Sequence, residues 1–309
     1  MRTLLALVAM LAALAAADSS ARAPQPDTLD AVAGRATAYV ESVGRRLAGM
    51  IAEEDYQQEI RTSSMTDIGV GRERSFDNIS RQQSRPEGMN HIRSDVVMVR
   101  PHDADAWLIF RDIFDVDSRP VHQRSDRLAT LFVKPTASSV AGIQAIVAET
   151  AAADLGEYVA TLGVPTRALA VLEPAHQGQF KIKKSGNATG GLPRVPEFAV
   201  PKGTWVIQFD EARTPALLHG SDGKDLPAHG RLWVEPSTGR IVFTEIVAEN
   251  RNVHARVVVR YADAGLDVLA PREMREEYQG GPDTAMSTRV ANYTKIRSFT
   301  VDDSFVIGR

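Results

Sequence analysis

The alternation at Val253–Tyr261 constrains this chain more than any other stretch. Val253, Ala255, Val257, Val259 and Tyr261 are apolar, and His254, Arg256 and Arg260 fall between them. A period of two sends successive side chains to opposite faces of a strand, so one face is apolar and the other wet. The same reading extends over Gly230–Val301. Trp233 sits in one strand and Arg240–Glu249 returns. Met274 and Tyr278 alternate with Glu273, Arg275 and Glu277, and Met286–Val301 supplies the last strand, with Tyr293 and Phe299. Between the first two strands lies Glu235-Pro236-Ser237-Thr238-Gly239. Pro presets φ early in such a loop and Gly takes a φ > 0 position at its end, which is hairpin chemistry. An antiparallel meander of this length must bury its apolar face against other elements.

Upstream, Leu29, Val32, Ala36, Val40, Val43, Leu47 and Met50 recur at spacings of three and four, with Thr28 or Asp27 as cap, so Leu29–Met50 reads as an amphipathic helix. Its end is expected near Glu53-Glu54-Asp55, because acids sit badly at the negative end of a helix dipole. Tyr56–Thr62 reads as strand and Ser63–Glu87 as a polar loop or weak hairpin. Strands are expected again from Ile92, at Val96–Arg100, at Trp107–Val116 with a turn at Asp117-Ser118-Arg119-Pro120, and at Leu128–Val133. At Ser138–Leu162 the apolar period becomes helical, and Pro165 opens a short helix over Thr166–Leu172. Phe180–Lys184, Trp205–Phe209 and Ala216–Leu218 read as strands. The fold class is therefore α+β and β-dominated: a large curved antiparallel sheet, an incomplete β-barrel, covered by an N-terminal helix and a central helical pair.

The first residues read as a leader rather than as fold. Arg2 precedes the apolar run Leu4–Leu14, and Ala15-Ala16-Ala17 offers small residues for cleavage before Asp18. The run falls short of the roughly 20 residues that span a bilayer. The division is a signal peptide at 1–17, a Ser/Ala/Pro-rich tether at 18–27 and one domain at 28–309. The expected location is exported, with a periplasm favoured, and the mature chain carries no transmembrane segment. A net charge of −3 over 309 residues gives no footprint for nucleic acid. The absence of cysteine excludes disulfides, thiolate metal sites and a thiol nucleophile.

Catalytic constellations are scarce. The seven histidines include no pair at the i, i+4 spacing of a metal-binding helix. His219-Gly220-Ser221-Asp222-Gly223 has triad residue types, but adjacent residues cannot face one another, and the stretch reads as a turn. Asp115-Val116-Asp117-Ser118 lacks the Gly and distant Glu of a calcium loop and reads as a hairpin tip. No catalytic residue, metal ligand or cofactor is assigned. What remains is a set of large apolar residues on strands: Phe110, Phe114, Trp205, Ile207, Phe209, Val257, Val259 and Tyr261. They suit the wall of an apolar cavity, but the core that a covered sheet needs calls for such residues more often.

The order of elements resembles the outer-membrane lipoprotein-sorting (LolA-type) superfamily of periplasmic carriers. The residues that carry the likeness are the Gly230–Gly239 hairpin, the Pro271-Arg272-Glu273-Met274 strand entry and Ala291–Arg297. The chain also resembles uncharacterised exported bacterial proteins in its Phe110-Arg111-Asp112 and Trp233–Gly239 segments. The first resemblance implies an incomplete barrel with a helical lid over a cavity that receives acyl chains. Three functions follow for testing. The first is a non-catalytic exported binder of a lipid or lipoprotein acyl chain, with Leu29–Met50 and Ser138–Leu162 as lid. The second is an interaction or regulatory module for an envelope protein, which would show an exposed apolar patch or free strand edge. The third is a hydrolase using carboxylates such as Asp112 and Glu245.

Overall fold

The computed structural model describes residues 27–62, 85–100, 107–124, 126–133, 139–153, 162–187, 200–220, 223–250, 253–280 and 286–298. The expected leader, most of the expected tether and residues 63–84 of the expected Ser63–Glu87 loop lie outside them, and Arg85–Glu87 belongs to a strand. One helix leads into the sheet: α1, Leu29–Leu47. The strands are β1 Met50–Thr62, β2 Arg85–Val99, β3 Leu108–Val116, β4 Arg119–Pro120, β5 Phe180–Asn187, β6 Trp205–Glu211, β7 Ala228–Val234, β8 Ile241–Glu249, β9 Val253–Asp263, β10 Leu269–Gly280 and β11 Met286–Ser298. They form an open sheet of 11 strands in the order β4-β3-β2-β1-β11-β10-β9-β8-β7-β6-β5. Every pairing is antiparallel. The expected β-dominated class holds, with an N-terminal helix and a few short helices beside the sheet.

Register shows how the sheet is built. One rung runs Ile207, Leu232, Thr244, Val259, Met274, Ala291, Tyr56, Ile92 across eight strands. The next runs Phe209, Gly230, Ile246, Val257, Glu276, Arg289, Gln58, Asn90. These side chains share one side, here called the core face, because paired residues point the same way. Gly230 leaves room in its rung for the Phe209 ring, which lies 2.7 Å from where a Cβ would stand.

Helix α1 crosses the core face at one end of the sheet. Thr28 Oγ1 caps it by accepting from the Ala31 amide at 3.2 Å. Val32, Ala36, Val40, Val43 and Leu47 are buried beneath it. Arg35 Nε donates to Pro236 O in the β7–β8 turn at 2.7 Å, and the Leu269 amide donates to the Tyr39 hydroxyl at 3.0 Å. In that turn Gly239 has φ +74, and a Cβ there would lie 2.6 Å from the Ala36 amide nitrogen, so glycine serves both the turn and the helix approach.

Four expectations change. Helix α1 stops at Leu47, and Met50 with Glu53-Glu54-Asp55 lies inside β1, where alternation and ion pairs place the acids. Leu128–Val133 is not a strand but part of α2, Arg127–Val133, since Leu128 and Phe132 at i, i+4 meet Ile143 and Ile146 in one cluster. Of the expected Ser138–Leu162 helix the described part is α3, Ser139–Ala153, with Ser138 and 154–161 outside the described residues, and α3 joins Val97, Val99 and Phe110 on the opposite, back face. It is therefore not a lid over the main core. Ala216–Leu218 forms no strand, and only an isolated bridge His219 to Asp225 follows it.

Candidate functional site

The core face changes character between β9 and β10. From β6 to β9 its two central rungs are apolar except for Thr244. From β10 to β2 the second rung reads Glu276, Arg289, Gln58, Asn90, and a third pairs Tyr293 with Glu54 and Glu54 with Ser94. All of these are buried: Glu54 and Ser94 show no exposure, and Glu276 is 1% exposed. Alternation explains their direction. Glu54, Tyr56 and Gln58 share the parity of Met50 and Ala52, so the strand that buries its apolar residues buries these too.

Two groups result, one an ion pair and the other a carboxylate and a guanidinium linked through the Tyr56 hydroxyl. Arg111 forks onto Glu54 with Nε at 2.7 Å and Nη2 at 3.1 Å, and Ser94 Oγ donates to the same carboxylate at 3.1 Å. The Arg111 guanidinium also stacks 5.2 Å from the Tyr56 ring centroid. Glu276 accepts from Tyr56 OH at 3.2 Å on one oxygen and from Tyr278 OH on the other. Arg289 donates to Tyr56 OH at 3.4 Å and to Ser287 Oγ at 3.3 Å, with its guanidinium 5.1 Å from the Tyr278 ring. Two carboxylates thus face two guanidiniums, a formally balanced set. Burial pushes the Tyr56 and Tyr278 phenols well up, and the Glu276 charge pushes them the same way. Burial opposes the Arg111 charge, but the neighbouring Glu54 outweighs it. Tyr293 lies 1% exposed among these charges, and its hydroxyl has no hydrogen-bond partner among the described residues.

A short segment closes over the face. Tyr261 OH donates to Pro165 O at 2.6 Å and accepts from Thr244 Oγ1 at 3.3 Å. At Gly163 a Cβ would lie 3.5 Å from the Glu276 carboxylate, so this backbone rests against the polar half. The 3₁₀ turn Arg167–Leu172 that follows is buried throughout. Among the described residues, α1 and Leu162–Leu172 cover the core face.

The structure divides the eight residues singled out in sequence. Trp205, Ile207, Phe209, Val257, Val259 and Tyr261 share the core face. Phe110 and Phe114 lie on the back: Phe110 packs 5.0 Å from Phe132, and Arg124 sits 4.5 Å over Phe114. Asp112 and Glu245 do not meet. Five strands separate β3 from β8, roughly 29 Å at the usual strand spacing. Glu245 is instead held by Arg231 and Arg256. Asp112 joins His122 and Glu149 in a group whose potential ligand atoms all lie within 4.8 Å of one another. Arg127 already bridges it, at 3.2 Å from Asp112 and 2.6 Å from Glu149, and supplies positive charge there. Burial nevertheless raises the Asp112 pKa against the pull of Arg127 and His122.

The polar cluster escaped sequence reasoning, although a signal existed. Glu276 has the parity of Met274 and Tyr278, Arg289 that of Ala291 and Tyr293, and Arg111 that of Ile113. A charge at a core-parity position marks a buried polar partner.

No protein-family model and no curated protein matches the chain. Among solved structures it shows a loose likeness to a LolA superfamily protein, NE2245 from Nitrosomonas europaea, at 12% identity, covering 89% of this chain and 96% of that one, with a TM-score of 0.28. It is similarly close to a DUF1329 family protein from Desulfovibrio piger, at 9% identity, with 87% and 92% coverage and a TM-score of 0.31. Scores of this size add nothing to what the geometry supports.

Proposed function

We propose that the protein is an exported, non-catalytic carrier that holds an apolar ligand, a lipid or lipoprotein acyl chain, against the core face of its sheet. One observation carries the reading. The apolar half of that face is covered not by its own strands but by α1 and the short segment Leu162–Leu172, whose Pro165 carbonyl accepts from the buried Tyr261 hydroxyl. Displacing Leu162–Leu172 would break the Tyr261 bond and uncover that part of the face without breaking a strand pair. Apolar contact at about 25 cal/mol per Å² then holds a chain with no chemistry required. Phe110 and Phe114 face the other way and act as back-face core in this reading. No helix among the described residues is long and apolar enough to cross a membrane.

The test is native mass spectrometry of the mature protein, purified from the envelope fraction without detergent, before and after organic extraction. A stoichiometric lipid supports the carrier. A lipid-free protein that also fails to take up an apolar fluorophore refutes it.

The envelope-interaction reading finds two terminal strands, the two-residue β4 on one side of the sheet and β5 on the other. Lys181, Lys183 and Lys184 are exposed on β5, and lysines on an edge discourage strand addition. The carrier reading is therefore preferred.

A further inference from the structure

Of the two terminal strands, β5 has 8 residues and β4 has 2, so β5 presents the longer edge. That edge is basic. Between Glu173 and Asp210 the sequence carries Lys181, Lys183, Lys184, Arg194 and Lys202 against one acid, Glu197, although the whole chain has a net charge of −3. Lys181, Lys183, Lys184 and Lys202 are exposed, and so is Arg213 just beyond β6.

Register places these cations around the edge. Lys181 and Lys183 pair with Asp210 and Gln208 of β6 and lie on the back face. Lys184 pairs with Ile207 and so lies on the core face, where its Nζ sits 3.3 Å from the Trp205 ring centroid. Arg213 lies over Gly178, just before β5 begins, its Nη1 3.6 Å from where a Cβ would stand. Lys202 stands shortly before Trp205, the partner of Asn187 at the far end. The cations thus follow the strand over its whole length, about 27 Å at the usual rise per residue. Among the described residues no ion pair engages any of the five. The neighbouring acids are mostly turned elsewhere. Glu211 accepts from the Leu217 amide at 2.6 Å and the Ala228 amide at 2.8 Å, and Glu173 is forked by Arg100 at 3.0 and 2.8 Å. Asp210, the register partner of Lys181, remains beside the row.

We propose that the β5 edge docks the protein on a bilayer surface rich in anionic lipid. Lysine ammoniums are compact point charges on flexible stems, so they suit the diffuse field of many head groups better than a single forked site. Cations on both sides of a terminal strand reach one plane when the sheet meets that plane edge-on, and long lysine stems allow it. Trp205, half-buried beside Lys184, adds a ring of the kind that rests at a head-group boundary. The inference does not rest on the carrier reading: a protein can dock and hold no lipid, or hold a lipid and not dock.

The experiment is sedimentation of the full mature chain with vesicles of phosphatidylcholine alone and of phosphatidylcholine with an equal part of phosphatidylglycerol, at low and at physiological salt. Lys181→Gln with Lys183→Gln is compared with Arg45→Gln with Arg119→Gln, which removes the same charge from α1 and β4. All four side chains are exposed, so neither pair threatens the fold. Wild type should pellet with the anionic vesicles only, and less so as salt rises. Each cation at an anionic surface adds about fivefold in partition, so the lysine pair should lower it roughly 25-fold while the arginine pair leaves it within about twofold. Absence of pelleting with anionic vesicles, equal pelleting with neutral ones, or equal loss in the two pairs overturns the proposal. Wild type that ignores vesicles but is retained on an immobilised poly-glutamate peptide, with retention lost in the lysine pair, overturns it in favour of an acidic protein partner.

Discussion

Tyr261→Phe tests how the cover is held. The hydroxyl makes two buried hydrogen bonds, to Pro165 O at 2.6 Å and with Thr244 at 3.3 Å. Each contributes about 1 kcal/mol, so global stability should fall by about 2 kcal/mol. The two bonds differ in what they report. Thr244 and Tyr261 both belong to the sheet, so their bond persists when the cover lifts. The Pro165 bond exists only in the closed state. Its loss should therefore favour opening by about 1 to 1.5 kcal/mol, close to tenfold in the opening equilibrium. Amide hydrogen exchange reads this directly. The Leu169 and Glu173 amides, bonded to Thr166 O and Ala170 O within the segment, should exchange about tenfold faster in the variant under conditions where β8 and β9 amides remain protected. Unchanged exchange at these two amides would show that the hydroxyl does not fasten the cover. Acceleration by one common factor in cover and strands would show that the cover opens only with global unfolding.

Three further outcomes are expected. Arg111→Met leaves the wholly buried Glu54 carboxylate unpaired and should cost about 3 to 5 kcal/mol in urea unfolding, whereas Glu54→Leu with Arg111→Met should recover most of the loss. Tyr293→Phe deletes a buried hydroxyl that has no partner among the described residues, so stability should stay within about 0.5 kcal/mol of wild type or rise, and a larger loss would reveal a bound water or ligand at that oxygen. On the back face, burial raises the Glu53 pKa, but hydrogen bonds from Lys295, Arg93 and Arg124 outweigh it and hold the group at about 2, below the usual carboxylate range. A depressed folded pKa gives stability that is fully present above the unfolded value and is lost as pH falls towards 2. The advantage of wild type over Glu53→Gln in an acid titration should therefore shrink from about pH 4.5 downwards.

The sheet was legible because alternation is strong at Val253–Tyr261 and at Trp205–Phe209, and because the Glu235–Gly239 turn can adopt few other shapes. Short apolar runs were not. Leu128–Val133 suits strand or helix equally by period, and the choice falls to contacts with Ile143 and Ile146, which lie more than ten residues away in sequence. The side of the sheet taken by α3 was hidden for a similar reason. A stripe of apolar residues states that a face is buried, not which face of the sheet buries it. Of the sites, the apolar residues were visible one at a time. Their separation into Trp205–Tyr261 on one face and Phe110 with Phe114 on the other needed the register of β2 with β3, including its bulge at Arg93/Ser94. The cluster of Glu54, Arg111, Glu276 and Arg289 draws on four strands from three regions of the chain, and only pairing of β1 with β11 brings those regions together.

That pairing bears on how a carrier of this shape would work. A protein that uncovers an apolar sheet face must do so without letting its strands slip, since a shift of one residue would turn the whole apolar set outward. Here β1 and β11, far apart in sequence, pair in the middle of the open sheet without a connecting turn to fix their register. The buried charges lie at that seam. Tyr56 on β1 bonds Glu276 on β10 and accepts from Arg289 on β11, and Glu54 on β1 bonds Arg111 on β3. Slipping β1 by one residue would carry Glu54, Tyr56 and Gln58 to the back and strand Glu276, Arg289 and Arg111 in the core, each at a cost of several kcal/mol. An all-apolar seam would impose no comparable penalty on a shift of two. In the proposed carrier the charge cluster thus specifies register at the seam, while the apolar half beyond β10 lies beneath a cover whose Pro165 carbonyl is bonded by Tyr261.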